Sequence, residues 1–520
     1  MSGVSRRGFL AGGVALGVGI GIGVPLLLSN GPTPSTGGLL RSTAALPALY
    51  SRPFRMPPEL RPVAVGAAGD RFALAARLRK VEILPGLLTT VFAYGGSVPG
   101  PTIRTRRGRE AVVSHRNELP VPMVVHLHGG HTPHDSDGYP TDLVLPADRS
   151  YYERRMDGGH GMALDAGTGP ERDYHYPMDQ RAATLWYHDH RMGFTGPAVW
   201  YGLAGFHLNA DDEEDALALP SGRHELLLML ADRSFGRDGE FLYPSLDRAL
   251  VNEPGVTPGF AAGVLGDVML VNGTPTPEVT VDRTSYRLRI LNACNARRLD
   301  LRLTPAPYDG MVQIGTDGGL LAAPITHTHI ELAPAQRVDL LIDFSQFPAG
   351  TRVELVNDFD GGRMHHIMRF TVGESTSPPY RVPPNLSNVE TLEESQVVRT
   401  RSFRFRRGDV EGMSGWIIGG APFDPDTAQA RVRLGDVEVW ELFADFHHPV
   451  HVHLDPFQVV SRGISGPGAF DAGWKDTIDL RPSEQARILV RFSDYAGRFV
   501  FHCHNLEHED MAMMANFDTY

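Results

Sequence analysis

The sequence predicts an all-β protein built from three sandwich domains, and three observations carry this. Short alternating apolar runs recur, as in Tyr286-Arg287-Leu288-Arg289-Ile290 and Arg487-Ile488-Leu489-Val490-Arg491-Phe492, while long runs of helical period are few. Turn-forming residues separate them, with 57 Gly and 40 Pro in all. A length of 520 residues accommodates about three domains at ~150 residues each.

Near the start of the chain stands Ser5-Arg6-Arg7-Gly8-Phe9-Leu10, and an uncharged apolar run from Gly8 to Leu28 contains seven glycines. This resembles a twin-arginine signal, read by machinery that exports folded proteins, and predicts a periplasmic or extracellular location. The run is long enough to span a bilayer, so an uncleaved membrane anchor is the alternative. Residues 1–45 are set aside as signal and lead, with cleavage expected between Ser29 and Ala45.

A proline-rich lead precedes a first domain expected over 63–210. Asp211-Asp212-Glu213-Glu214-Asp215 and Pro220-Ser221-Gly222 read as a linker. The second domain, 222–372, has strand patterns but no comparable histidine cluster. A second linker, Ser375 to Ser395, holds Pro378, Pro379, Pro383 and Pro384, and the third domain spans 400–520. An internal repeat supports the division. Arg106-Arg107-Gly108-Arg109-Glu110-Ala111-Val112-Val113 leads to His126-x-His128, as Arg433-Leu434-Gly435-Asp436-Val437-Glu438-Val439 leads to His451-x-His453. Trp186-Tyr187-His188-x-His190 echoes Val500-Phe501-His502-x-His504. The second domain shares the framework instead, Leu332-Ala333-Pro334-Ala335-Gln336-Arg337 matching Leu480-Arg481-Pro482-Ser483-Glu484-Gln485.

With 22 His in 520 residues, chance gives about one His-x-His pair; there are five, at 126/128, 188/190, 327/329, 451/453 and 502/504. On a strand, residues two apart share a face, so each pair presents two imidazoles side by side. His327-x-His329 has no matching motif in its domain and is read as the chance pair. Cys503, between His502 and His504, faces the other way. A thiolate at Cys503, an imidazole at His508 and a distal thioether at Met513 are parts of a blue-copper centre that needs one more histidine. His448 supplies it, since it lies an odd number of residues before His451. The other eight imidazoles suit three further copper ions. A metal-bound Cys503 leaves Cys294 without a partner, so no disulfide is expected and Cys294 reads as a small buried residue. The remaining twelve histidines, His131, His134, His365, His366 and His447 among them, are assigned to no site. A net charge of −12 without a basic stripe argues against a nucleic-acid partner.

These motifs are similar to those of the multicopper oxidases, in particular the bacterial three-domain branch of spore-coat laccase and bilirubin oxidase. The resemblance spans roughly residues 90–520 and includes His128-Gly129-Gly130-His131-Thr132-Pro133-His134-Asp135-Ser136-Asp137-Gly138, Gly315-Thr316-Asp317-Gly318-Gly319 and Trp474-Lys475-Asp476-Thr477. It implies three cupredoxin-like Greek-key sandwiches and four copper ions. His448, Cys503, His508 and Met513 resemble type 1 ligands, and His126 and His451 the type 2 pair. His128, His188, His190, His453, His502 and His504 resemble the ligands of the type 3 pair. Glu509 matches the family's proton-delivering acid and Asp137 an acid beside the trinuclear site.

The implied reaction couples one-electron oxidation of a phenolic, aromatic amine or tetrapyrrole reductant to reduction of O2 to water. Electrons are expected to enter at the edge of His508 or His448, and the enzyme is expected to be a monomer. Three alternatives compete with this reading, of which a copper nitrite reductase would lack the eight-histidine cluster. A cuprous-ion oxidase of the same family carries a methionine-rich insert, whereas the 16 Met here are scattered. A non-enzymatic electron-transfer protein needs only the type 1 ligands.

Overall fold

Among the described residues, alternation in the sequence becomes six main sheets, two to each hydrophobic core. The structure, a computed structural model, describes residues 35–156, 167–410 and 413–520; the paired arginines and apolar run of the signal lie outside them. One pair of sheets is built from strands between Ala64 and Ala210, a second from strands between Glu225 and Thr376, a third from strands between Val397 and Thr519. Each of the six sheets contains one parallel pair of strands distant in sequence. Examples are Gly69–Glu82 beside Glu110–Glu118, Glu225–Arg233 beside Ser285–Asn292, and Ala428–Val432 beside Met514–Thr519. Parallel neighbours need crossovers, so the sheets are not simple meanders. Separate hydrophobic cores fill the pairs: Phe72, Val113 and Leu127 in the first, Leu288, Leu340 and Phe370 in the second, Phe405, Trp440 and Phe517 in the third.

The duplicated motifs pair alike. Strand Val125–His128 runs antiparallel to Ala183–Asp189 with His126 opposite His188. Strand His448–Val452 runs antiparallel to Gly497–Cys503 with His451 opposite His502. In both copies the first histidine of one motif faces the first histidine of the other.

Two stretches behave differently from the sequence expectation. Strand Ser285–Asn292 is buried at every position, Arg287 and Arg289 included. Their guanidinium groups pair with Glu214, Glu225 and Asp339 rather than with solvent. Glu214 belongs to the expected linker, where Asp212–Ala216 forms a short helix capped by the Asp211 side chain. Burial works against the Glu214 carboxylate, but Arg289 and Arg287 outweigh it and hold the pKa at about 2. No helix among the described residues is long and apolar enough to cross a membrane.

Candidate metal centres

Strand Gly497–Cys503 ends at its cysteine, and His504 follows immediately, its ring 5.6 Å from that of His502. Val450 lies opposite Cys503, and the fully buried thiol belongs to the third core. There His448 Nδ1 lies 3.4 Å from Cys503 Sγ, and His508 Nδ1 lies 3.6 Å from the same sulfur. The two nitrogens are 3.1 Å apart. His508 sits on a short helix, Leu506–Asp510. Met513 is fully buried, and its backbone is tied to this group: Cys503 N donates to Met513 O and Met513 N donates to His508 O. Burial raises the Cys503 thiol pKa, so ionising the sulfur calls for a cation beside it.

Neither imidazole edge is open to solvent here. Trp416 packs on His508 at 3.8 Å between ring centroids with the rings tilted by 32°, and His448 Nε2 donates to Asp445 at 2.9 Å. Trp416 thus covers the His508 ring on one side, and the partly exposed Asp445 carboxylate lies against His448 on the other. Sequence reasoning identified neither residue.

The eight remaining imidazoles meet between the first and third sandwiches. His126 Nε2 and His451 Nε2 are 3.4 Å apart. His502 Nε2 lies 3.2 Å from both His190 Nε2 and His453 Nε2. The rings of His128, His188 and His504 form a third group with centroids 5.0–5.7 Å apart. Outward-facing nitrogens are held by acceptors: His126 Nδ1 on Asp137 O, His188 Nδ1 on Asp189 O, His451 Nδ1 on Asp476 O. Burial lowers the pKa of His188 to about 4 and of His451 to about 3, and pushes His126, His128, His190, His453 and His504 well down. These imidazoles are neutral, as metal ligands must be.

Two acids named from sequence reach this cluster. Asp137 Oδ2 accepts from His453 Nδ1 at 2.8 Å, and burial raises its pKa. Glu509 Oε1 accepts from Thr195 Oγ1 at 2.7 Å. Its Oε2 lies 3.2 Å from His502 Nδ1 but off the line of a hydrogen bond. The neighbouring acids are occupied elsewhere. Asp510 accepts from the Thr195 and Gly196 amides, and Glu507 from Tyr243, Asn295 and the Val264 amide.

A cavity of about 390 Å³ reaches His126, His451 and His453, with exposed Asp179 and Asp494 among its lining residues. In its wall stands His131, which the sequence reading left unassigned. Its Nδ1 is 2.9 Å from Asp455, and its Nε2 is 2.9 Å from Asp494. His327 and His329 are far from this chemistry in role: they bond Gln313 and Asp300 in the second domain. Cys294 is buried with a free thiol.

These residues fit bound copper. His128 Nδ1, His188 Nε2 and both nitrogens of His504 are buried with no hydrogen-bond partner among the described residues. Each such orphan costs roughly 1–3 kcal/mol unless something satisfies it. Imidazoles around one thiolate on one side and imidazoles alone on the other are copper donor sets.

The comparisons agree. Two family models described as multicopper oxidase match residues 76–160 and 381–520. A laccase of Bacillus stratosphericus is 34% identical over 486 residues, covering 83% of this chain and 91% of its own length. The chain is a multicopper oxidase. A bilirubin oxidase of Albifimbria verrucaria is 31% identical to this oxidase, over 94% of this chain and 84% of its own. The crystal structure of a laccase from Pediococcus acidilactici matches it with a TM-score of 0.78 at 29% identity, covering 92% of this chain and 96% of the other. The oxidase thus has cupredoxin-like sandwich domains, is laccase-like, and uses copper to pass electrons from a small-molecule reductant to O2. Cuprous-ion oxidation is not the favoured reading.

Proposed function

We propose that the oxidase holds four copper ions and oxidises phenols, aromatic amines or tetrapyrroles with reduction of O2 to two waters. The convergence of ten buried histidines and Cys503 into two clusters is the observation that carries this reading. His448, Cys503, His508 and Met513 hold the type 1 ion, and His126 and His451 the type 2 ion. His190, His453 and His502 hold one member of the type 3 pair, and His128, His188 and His504 the other. When bound, copper supplies the one-electron redox steps and the site where O2 is reduced.

The chain's own residues do the rest. Cys503 is covalently continuous with His502 and His504, so one peptide belongs to both centres. Trp416 packs over His508 and excludes water from it. The carbonyls of Asp137, Asp189 and Asp476 fix three imidazoles with their other nitrogen turned inward. Reducing O2 to water consumes four protons. Glu509 is the residue that delivers them: Thr195 anchors one oxygen and leaves the other beside the cluster. Asp137 holds His453 in place. We further propose that the protein is a monomer exported by the twin-arginine route to the periplasm or beyond, on the strength of Ser5-Arg6-Arg7-Gly8-Phe9-Leu10, with domains over 63–210, 222–372 and 400–520.

Copper analysis beside visible spectroscopy tests the four-ion reading. The wild type should carry about four Cu per chain with a blue band. Cys503→Ser should lose the blue band and reductant oxidation while keeping the other ions. One Cu per wild-type chain would instead identify an electron carrier.

A further inference from the structure

The second domain contributes none of the histidines assigned to copper, yet one of its side chains ends on Asp476, the residue that bonds both His128 and His451. We propose that Arg337 is a positioning residue for the trinuclear site, acting through Asp476 to fix which nitrogen of His128 is offered to metal. The inference rests on the four-copper reading above and extends it to a domain without ligands.

Arg337 is 1% exposed, and all five of its guanidinium donors are in use. Nη1 donates to Asp476 Oδ1 at 2.8 Å and Nη2 to Asp476 Oδ2, a bidentate ion pair. The rest go to Thr184 O, Ala335 O and Asp317 O at 2.8, 3.1 and 3.1 Å. Thr184 lies on the strand that carries His188, and Asp476 in the third domain, so a single side chain binds all three domains. A second ion pair, Lys475 with Asp317 at 2.7 Å, lies alongside, so the four buried charges cancel.

The consequence falls on two histidines. A carboxylate held by a guanidinium accepts, and the Thr477 hydroxyl, 3.3 Å from His128 Nε2, gives its own proton to Asp476 Oδ1 at 2.9 Å, so His128 Nε2, 3.1 Å from Asp476 Oδ1, is the donor. His128 Nδ1 is then a bare, buried lone pair with no partner among the described residues. The backbone carbonyl of Asp476 accepts from His451 Nδ1 at 2.8 Å, which leaves the opposite nitrogen of that ring free. One residue thus presents Nδ1 of His128 and Nε2 of His451. Gly129, directly after His128, shows how closely the pair is packed. A Cβ there would lie 2.5 Å from Arg337 Nη2 and 2.8 Å from Asp476 Oδ2.

The test is copper binding by the full chain at graded free copper. The blue absorbance of the Cys503 site serves as internal control, and the type 2 EPR signal is recorded alongside. Arg337→Gln strips the countercharge from Asp476 and loosens its grip on His128. Affinity for the copper ions outside the blue site should fall ~10–100-fold, the usual worth of such a partner. The blue site should load normally, and the type 2 signal should change. Adding Asp476→Asn to Arg337→Gln removes both charges; the amide at 476 can accept from His128 Nε2 and donate to the amide at 337. Most of the lost affinity should return. The inference is overturned if Arg337→Gln binds copper like wild type. It is also overturned if blue and other sites are lost together, or if the double variant binds no better than the single one. A wild type holding one copper per chain would refute the four-copper reading itself, and this inference with it.

Discussion

Glu509 Oε2 is a bare carboxylate oxygen in a fully buried place, 3.2 Å from a ring nitrogen of His502. A proton carried there has the cluster on one side and the Thr195 hydroxyl, on the other carboxylate oxygen, as its anchor. Glu509→Gln keeps the shape but cannot ionise. Copper loading, the blue band and anaerobic reduction by a reductant should be unchanged, while reoxidation by O2 slows ~10²–10⁴-fold. Stopped-flow reoxidation at the wild-type rate would shift proton delivery to Asp137. The histidines were legible in the sequence because metal ligation demands particular side chains at strand spacing. Trp416, Asp445 and Thr195 were not. Trp416 and Thr195 are aligned with the site only by folding, from 92 and 314 residues away along the chain (508 − 416; 509 − 195). Asp445, though only three residues from His448, belongs to no spacing motif.

The strand pattern was legible in Gln485–Arg491, where Ala486, Ile488 and Val490 are buried and Gln485, Arg487 and Arg491 are half-buried. It misled at Ser285–Asn292, where the arginines of an apparent polar face pair with acids from three other segments. The loop that follows the His126–His128 strand held a similar surprise. Burial alone would lower the pKa of His131, but Asp455, Asp494 and Asp179 outweigh it and raise the value to about 9. The Tyr495 ring packs against it at 4.8 Å. The unfolded value is ~6.5, so the folded state binds the proton more tightly. That contribution is complete below pH ~6.5 and is lost as pH rises through ~9. Denaturant unfolding at graded pH should show wild type losing up to about 3 kcal/mol more than His131→Gln between these limits. Parallel pH profiles would show that the imidazole is not held charged.

No sandwich makes the cluster of eight imidazoles alone: the first and third supply the rings, and Arg337 of the second bonds Asp476 beside them. The protein can therefore hold its full set of ions only after the last strand is in place, which suits a route that exports folded chains. Changing both Arg6 and Arg7 to Lys keeps the charge and should strand the oxidase in the cytoplasm. Unchanged amounts in the exported fraction would refute the signal assignment. The likeness of the two histidine-bearing strand pairs was legible from the repeat, whereas the way they interlock was not, since contacts between copies leave no periodic trace. The meeting of His126 and His451 has a topological consequence. They are 325 positions apart, in a chain whose two thiols are both free. An ion gripped by both closes a loop longer than half the polypeptide, which is the work of a cross-link. By the chain-entropy relation a closure of that length costs an unfolded chain roughly 6 kcal/mol, so folding must first bring the two rings together, and the ion then stabilises that fold by its own binding free energy. Metal content and global cohesion are then one property, and an oxidase stripped of copper is a polypeptide whose two ends have been untied.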